Sequence, residues 1–370
     1  MSLTAFELLT ASLAAEGYEL RPDWERRRQH LHKHRVLRAV QNTDFLQAIA
    51  LLVTYDAHLK ARREGRAADE IPAVSCKRRE ILRLTLSDYL AWADRVQQGF
   101  VNAARFLRRQ YVFSERDLSY RTQLVPLAAV LAWLGPNAEP LGVQDQLARW
   151  FWCGVLGELY GSAVETRFAR DLPDLVAWLG VADGPLPRTI EEANFSPSRL
   201  YTLRTRNSAA YKGIHALLMR EQCLDLRTGV SIVEHTYFED RVDIHHIFPR
   251  AWCDAHGIDP RRCESIINKT AISSRTNRMI GGNAPSLYLP AIAKSAGISE
   301  ERMDELLRSH AIAPHYLRAD DYDGFERARE QALLDLIERA MGKPMMREAI
   351  TAEQMTAEDY EGLEEDGDNG

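Results

Sequence analysis

Residues 241–250 read "RVDIHHIFPR", and the adjacent histidines His245 and His246 at the end of an apolar run decide how the chain is read. Neighbouring residues on a β-strand point to opposite faces. A strand here sends one imidazole into a site and the other away from it, whereas a turn or bulge would let both converge.

The surrounding text has a strand–strand–helix order. "CLDLRTGVSI", with Thr228-Gly229 between β-prone residues, reads as a short hairpin, "VDIHHIF" as a strand and "KTAIS" as a second strand. "SRTNRMIG" follows as a short helix with Ser274 as N-cap and a glycine stop. "SEERMDELLRSHAI" and "DGFERAREQALLDLIERAMG" are helices expected to pack on the rest of the molecule.

Before residue 220 the signals are helical. "SDYLAWADRVQQGFVNAARFLRRQ" has Ser87 as an N-cap, apolar residues at helical spacing and a basic last turn that suits the helix dipole. "VQDQLARWFWCGVLGELYGSAVETRFARDLPDLVAWLG" is helical and broken by glycine and by Pro173, with Trp150, Phe151 and Trp152 placed in the core. The basic runs "RRRQHLHKHR" and "KRRE" either track phosphates or form solvated helix faces. In the first of them, helical spacing puts His30 and His34 on one face.

Composition narrows the function classes. The 370 residues exceed the usual size of one domain, with 45% hydrophobic and 27% charged residues. The N-terminus lacks a basic start and carries Glu7 inside its apolar run, so a cytoplasmic protein without signal peptide or membrane span is expected. Five cysteines without a Cys-x-x-Cys pair are expected to be reduced and buried. Cys253, His256 and Cys263 offer three zinc-type ligands, one short of a closed site. The net charge of −6 is set by residues 351–370, which hold eight of the 53 acids and no base. Residues 1–350 therefore carry 47 bases against 45 acids, and the acidic tail is expected to be disordered. Between residues 241 and 278 there are seven bases and four acids, a local balance that suits phosphate.

Polar residues gather at the joints of the strand–strand–helix unit: His245 and His246 at the first strand, Asn268 entering the second, Asn277 on the helix. An imidazole beside a phosphodiester can serve as general base toward water, and a divalent cation held by imidazole and amide groups stabilises the charge that develops on the phosphate. "DIHHIFPR", then "NKTAISSRTNR" with Asn268 and Asn277 nine apart, then "APSLYL", resembles the HNH (His-Me finger, ββα-metal) nuclease motif over about 45 residues. The resemblance implies that His246 is the general base, that His245 and Asn277 are metal ligands, and that Asn268 braces the loop carrying the base. It implies one divalent cation, Mg²⁺ first, with Mn²⁺ or Ni²⁺ accepted. Arg250, Lys269, Arg275 and Arg278 are the expected contacts to DNA phosphates.

More loosely, residues 3–290 resemble the C-terminal half of GmrSD-type modification-dependent restriction endonucleases, through "FELLTA", "GSAVETRFARDL" and "RNSAAYKGIHALLM" leading into "IHHIFP". Those proteins begin with a ParB-like NTP-binding module containing Asp-Gly-Gln-Gln-Arg, a pattern missing from this sequence. The resemblance therefore implies a separate or fused sensor module as partner. The expectation is a mainly α protein: a helical domain (1–220), a small ββα-metal nuclease domain (221–295), C-terminal helices on the bundle (296–350) and the acidic tail (351–370). Its expected function is hydrolysis of DNA phosphodiesters in phage defence. The alternative is a non-catalytic DNA-binding or regulatory fragment of a restriction system.

Overall fold

The computed structural model describes residues 3–345 apart from 163, 182, 206, 233–236 and 239–241. The tail expectation for residues 351–370 lies outside them. The described chain is mainly helical.

Capping boxes start three helices of the first half. Thr4 and Glu7 cap α1 (Ala5–Ala14), which is followed by α2 (Leu20–Leu31), and Gln41 and Asp44 cap α3 (Asn42–Arg63). Thr85 rather than Ser87 caps α4 (Leu86–Arg109): its hydroxyl accepts from the Asp88 N–H at 3.1 Å and its own N–H reaches the Asp88 carboxylate at 3.0 Å. Two orphan donors are satisfied reciprocally, which Ser87 inside the first turn could not do. The α4 stripe of Tyr89, Ala93, Val96, Phe100 and Leu107 faces α5 (Leu124–Leu134), a helix buried from Leu124 through Ala132. That all-apolar sequence suits the centre of a bundle. At the crossing, a β-carbon on Gly99 would come within 2.3 Å of the Ala128 carbonyl oxygen, so only glycine permits the approach.

Against α5 pack α3 and, beyond α6 (Leu141–Leu156) in the chain, α7 (Val164–Trp178); α6 contributes to the same core, and its Trp150, Phe151 and Trp152 are all buried. The break between α6 and α7 comes at Gly157, while Pro173 lies inside α7. Proline there removes one helical hydrogen bond. The buried Asp171, Leu172 and Leu175 beside it hold the helix on the core. The basic run after Arg26 is no uniform solvated face: Arg27 turns inward onto Asp23 at 2.7 Å and Asp94 at 2.8 Å. Since α2 ends at Leu31, His34 falls beyond the helix and does not share a helical face with His30.

After α8 (Ala209–Arg220) the pattern changes. The expected hairpin is one Leu224–Ser231 bridge around Gly229, whose φ of +63° suits a residue without a β-carbon. Strand β1 (Asp243–His246) then pairs antiparallel with β2 (Lys269–Ile272), His245 opposite Thr270 and His246 opposite Lys269. Short helices α9 (Arg250–Ala255) and α10 (Pro260–Glu264) connect them, and α11 (Ser274–Ile280) follows β2. Its N-cap is Ser273, not Ser274, because the Ser273 hydroxyl accepts the Thr276 N–H.

A second core of Leu226, Ile247, Phe248, Trp252, Ile272, Tyr288 and Ile292 lies under this unit, joined by residues of α12 (Pro285–Ala296) and α13 (Glu300–Ser309). Helix α13, expected on the bundle, instead gives Met303, Leu306 and Leu307 to this second core. Helix α14 (Tyr322–Met341), the last among the described residues, ties the halves together: Tyr322 and Phe325 enter the second core, while Leu333, Leu334, Ile337 and Met341 enter the bundle.

Candidate functional site

The regular pairing of β1 answers the question of the two histidines: it has no bulge, so their side chains alternate across the ribbon. His246 is the last residue of the strand, and the chain beyond it is held at successive backbone groups. The Ile247 N–H donates to the Asn268 carbonyl at 2.8 Å and its carbonyl accepts the Tyr288 hydroxyl at 2.9 Å. The fully buried Asn268 amide then brackets Phe248, its Oδ1 accepting that residue's N–H at 2.8 Å and its Nδ2 donating to that residue's carbonyl at 2.9 Å. Nδ2 also donates to the Cys263 carbonyl at 3.0 Å. Phe248 itself is packed among the rings of Trp252, Tyr322 and Phe325.

His246 is half-buried, and its Nε2 lies 3.1 Å from Glu264 Oε2 at the end of α10. An ionised carboxylate only accepts, so Nε2 carries the hydrogen and Nδ1 is the nitrogen with a lone pair. The Lys269 ammonium closes the group, donating to the same Glu264 oxygen at 3.1 Å and to the Arg204 carbonyl at 2.8 Å. Burial pushes the His246 pKa below its ordinary 6.5, Glu264 opposing and Lys269 assisting. For Glu264 burial acts upward, but Lys269 and His246 outweigh it and hold the carboxyl below its usual range. At neutral pH the group therefore pairs a neutral imidazole with a carboxylate anion.

The other expected residues separate by environment. His245 and Asn277 are half-buried, the latter on α11. Arg250, Arg275 and Arg278 are exposed, Arg250 lying 3.9 Å from Asp254. Lys269 differs: its side chain is 8% exposed and engaged with Glu264, so it faces inward where a surface phosphate contact was expected. His256 stacks on Trp252 with its Nδ1 on the Trp252 carbonyl at 2.8 Å, and so turns from the zinc-type grouping with Cys253 and Cys263. All five cysteines are buried free thiols.

Three partners had no sequence signal. Glu264 was one acid among several in a charged stretch. Asp225 is buried, with Oδ1 accepting the Arg227 and Thr228 N–H groups and Oδ2 accepting from the Ser273 N–H and the Thr276 hydroxyl, which ties the hairpin turn to the start of α11. His310, fully buried, bridges the Thr270 hydroxyl at 2.8 Å and the Leu224 carbonyl at 2.7 Å behind β2, and burial lowers its pKa to about 4. Among the described residues the metal-type donors that converge are His246, Cys263 and Glu264, within 4.8 Å of one another.

A scan of known protein-family descriptions finds no match for this chain. It is similar to an uncharacterized protein, MJ0686, of Methanocaldococcus jannaschii, at 26% identity over 179 residues, covering 45% of this chain. The matched part spans 30% of that relative's length. No helix among the described residues is long and apolar enough to cross a membrane.

Proposed function

We propose that this chain is a metal-dependent endonuclease of the HNH, ββα-metal type that hydrolyses DNA phosphodiesters. The observation that carries this reading is the Asn268 bracket around Phe248, which fixes the turn after His246 and so the direction of its imidazole. With Nε2 on Glu264, Nδ1 of His246 takes the proton of the attacking water. The resemblance assigns His245 and Asn277 to a divalent cation; His245 leaves β1 on the other face from His246, so cation and base reach one phosphate only at the end of the ribbon, where β1 stops at His246. One imidazole and one amide fit a site that leaves most of its coordination to water and phosphate oxygens, and the nitrogen donor favours Mn²⁺ or Ni²⁺ alongside Mg²⁺. When bound, the cation stabilises negative charge on the phosphate and the leaving oxygen. Exposed Arg250, Arg275 and Arg278 supply contacts to the DNA backbone. In this reading the protein acts in the cytoplasm against foreign or modified DNA, with a ParB-like NTP-binding module, separate or fused, as its sensor.

The test is nicking of supercoiled plasmid with Mg²⁺ or Mn²⁺. Cleavage should stop in EDTA, and His246→Ala should slow it roughly 100-fold to 10,000-fold while DNA binding persists. His245→Ala and Asn277→Ala should be partly rescued by added metal. DNA binding without nicking in the unaltered protein would instead support a non-catalytic fragment of a restriction system.

A further inference from the structure

A ring nitrogen of His246, the thiol of Cys263 and the carboxylate of Glu264 lie within 4.8 Å of one another, and Glu264 sits on the Nε2 side of the ring at 3.1 Å. None of them belongs to the expected Mg²⁺ ligand set, and an imidazole, a thiolate and one carboxylate are the donors that zinc prefers over magnesium. From this juxtaposition we infer a second cation site, made by His246 Nε2, Cys263 Sγ and Glu264, that takes a soft divalent cation such as Zn²⁺ and silences the base.

Tetrahedral zinc with bonds of about 2.0–2.3 Å sets its ligands roughly 3.5 Å apart. The donor atoms lie within 4.8 Å of one another, so the widest pair must close by about 1 Å, within reach of side-chain rotation at half-buried His246 and Glu264. One donor already points at the sulfur, the Asn268 amide at 3.8 Å. Hydrogen bonds of this kind stabilise a bound thiolate. Lys269 stays on Glu264 and on the Arg204 carbonyl, keeping the carboxylate oriented while the cation takes the imidazole's place beside it. Three protein ligands leave the fourth position to water.

The protons balance simply. Binding releases the Cys263 thiol proton to solvent, and the imidazole proton moves from Nε2 to Nδ1 as Nε2 becomes a ligand. Nδ1 then has no lone pair with which to accept a proton from water. This inhibitory consequence rests on the nuclease reading; the binding does not.

The full chain is therefore titrated with Co²⁺ as the spectroscopic stand-in for Zn²⁺, followed by Zn²⁺ competition, and separately assayed for plasmid nicking in Mg²⁺ with added Zn²⁺. A thiolate-to-cobalt charge-transfer band is expected, displaced by Zn²⁺, lost in Cys263→Ser and weakened at least 10-fold in affinity in Glu264→Gln, with circular dichroism checking that both variants fold. His245→Ala should keep the band. In the nicking assay Cys263→Ser should need at least 10-fold more Zn²⁺ for the same inhibition. No band, or an equal band in Cys263→Ser, overturns the site, as does a band lost only in His245→Ala. A protein that binds Co²⁺ through Cys263 but never nicks DNA keeps the site and removes the nuclease reading, so the two failures are told apart.

Discussion

Asp171 in the bundle and Asn268 beside β2 are both fully buried polar residues with at least three side-chain hydrogen bonds each, yet they hold different things. The Asp171 carboxylate accepts from side chains, the Trp150 indole on α6, the Tyr160 hydroxyl beyond it and the Thr189 hydroxyl. The Asn268 amide binds backbone, the N–H and carbonyl of Phe248 and the carbonyl of Cys263. Partners on side chains hold helices against one another. Partners on the backbone set the path of the chain, and here that path aims His246. On the proposed reading, the first kind of residue serves stability and the second serves the site.

Removing each tests this most strongly. Asp171→Ala leaves three buried donors unpaired and should cost about 3 kcal/mol in urea unfolding, with nicking per folded molecule nearly unchanged. Asn268→Ala should cost less, about 2 kcal/mol, but slow nicking about 100-fold without rescue by added metal. Equal loss of activity in both variants would break the contrast.

Acid pulls the two regions in opposite directions. Burial raises the Asp171 carboxyl to about 6 from 3.8, against the hydrogen bonds from Thr189, Tyr160 and Trp150, so the folded state gains protons first and stability rises as pH falls through 6. His310 behind β2 is lowered from 6.5 to about 4 by burial, so the unfolded state gains protons first and stability falls over the same window. Between pH 6.5 and pH 4.5 each is worth roughly 2 kcal/mol with opposite sign. Denaturant titrations at several pH values should show a steeper acid loss in Asp171→Asn and a shallower one in His310→Gln, relative to the unaltered protein. Parallel curves would remove the opposition.

The basic residues divide in the same way. Alanine at exposed Arg250, Arg275 or Arg278 should each reduce the slope of log affinity for DNA against log salt by about 0.9. Lys269→Ala should leave that slope unchanged and destabilise the fold, since it strands Glu264 and the Arg204 carbonyl. A titration of DNA affinity against salt distinguishes them. The smallest effect belongs to the acidic stretch: deletion of residues 351–370 should leave the melting temperature unchanged and DNA affinity equal or slightly tighter, as like charge is removed.

Much of this was legible because it is local. Helical periodicity gave α4, and glycine at 281 and β-branched residues around Lys269–Ile272 marked the end of α11 and the strand before it. The caps lie one or two residues before the serines that the sequence suggests, Thr85 rather than Ser87 and Ser273 rather than Ser274, because serine and threonine neighbours are equivalent until a backbone N–H chooses between their hydroxyls. Pro173 suggests a break because a local rule cannot weigh the core that holds α7 in place.

The sequence by itself determined a mainly helical chain with one small strand pair, since apolar spacing and turn residues act over a few positions. It also singled out His246 and Asn268. Only the tertiary structure decided what surrounds them. Glu264 lies 18 residues from His246, Arg204 lies 65 from Lys269, and Leu224 lies 86 from His310. Such partners are chosen by how helices and strands pack, and packing is collective: no residue's own preference states which distant carboxylate or carbonyl will face it once water is excluded. For the same reason Lys269, one basic residue among several in the sequence, became the buried partner of Glu264 while Arg275 and Arg278 stayed in solvent.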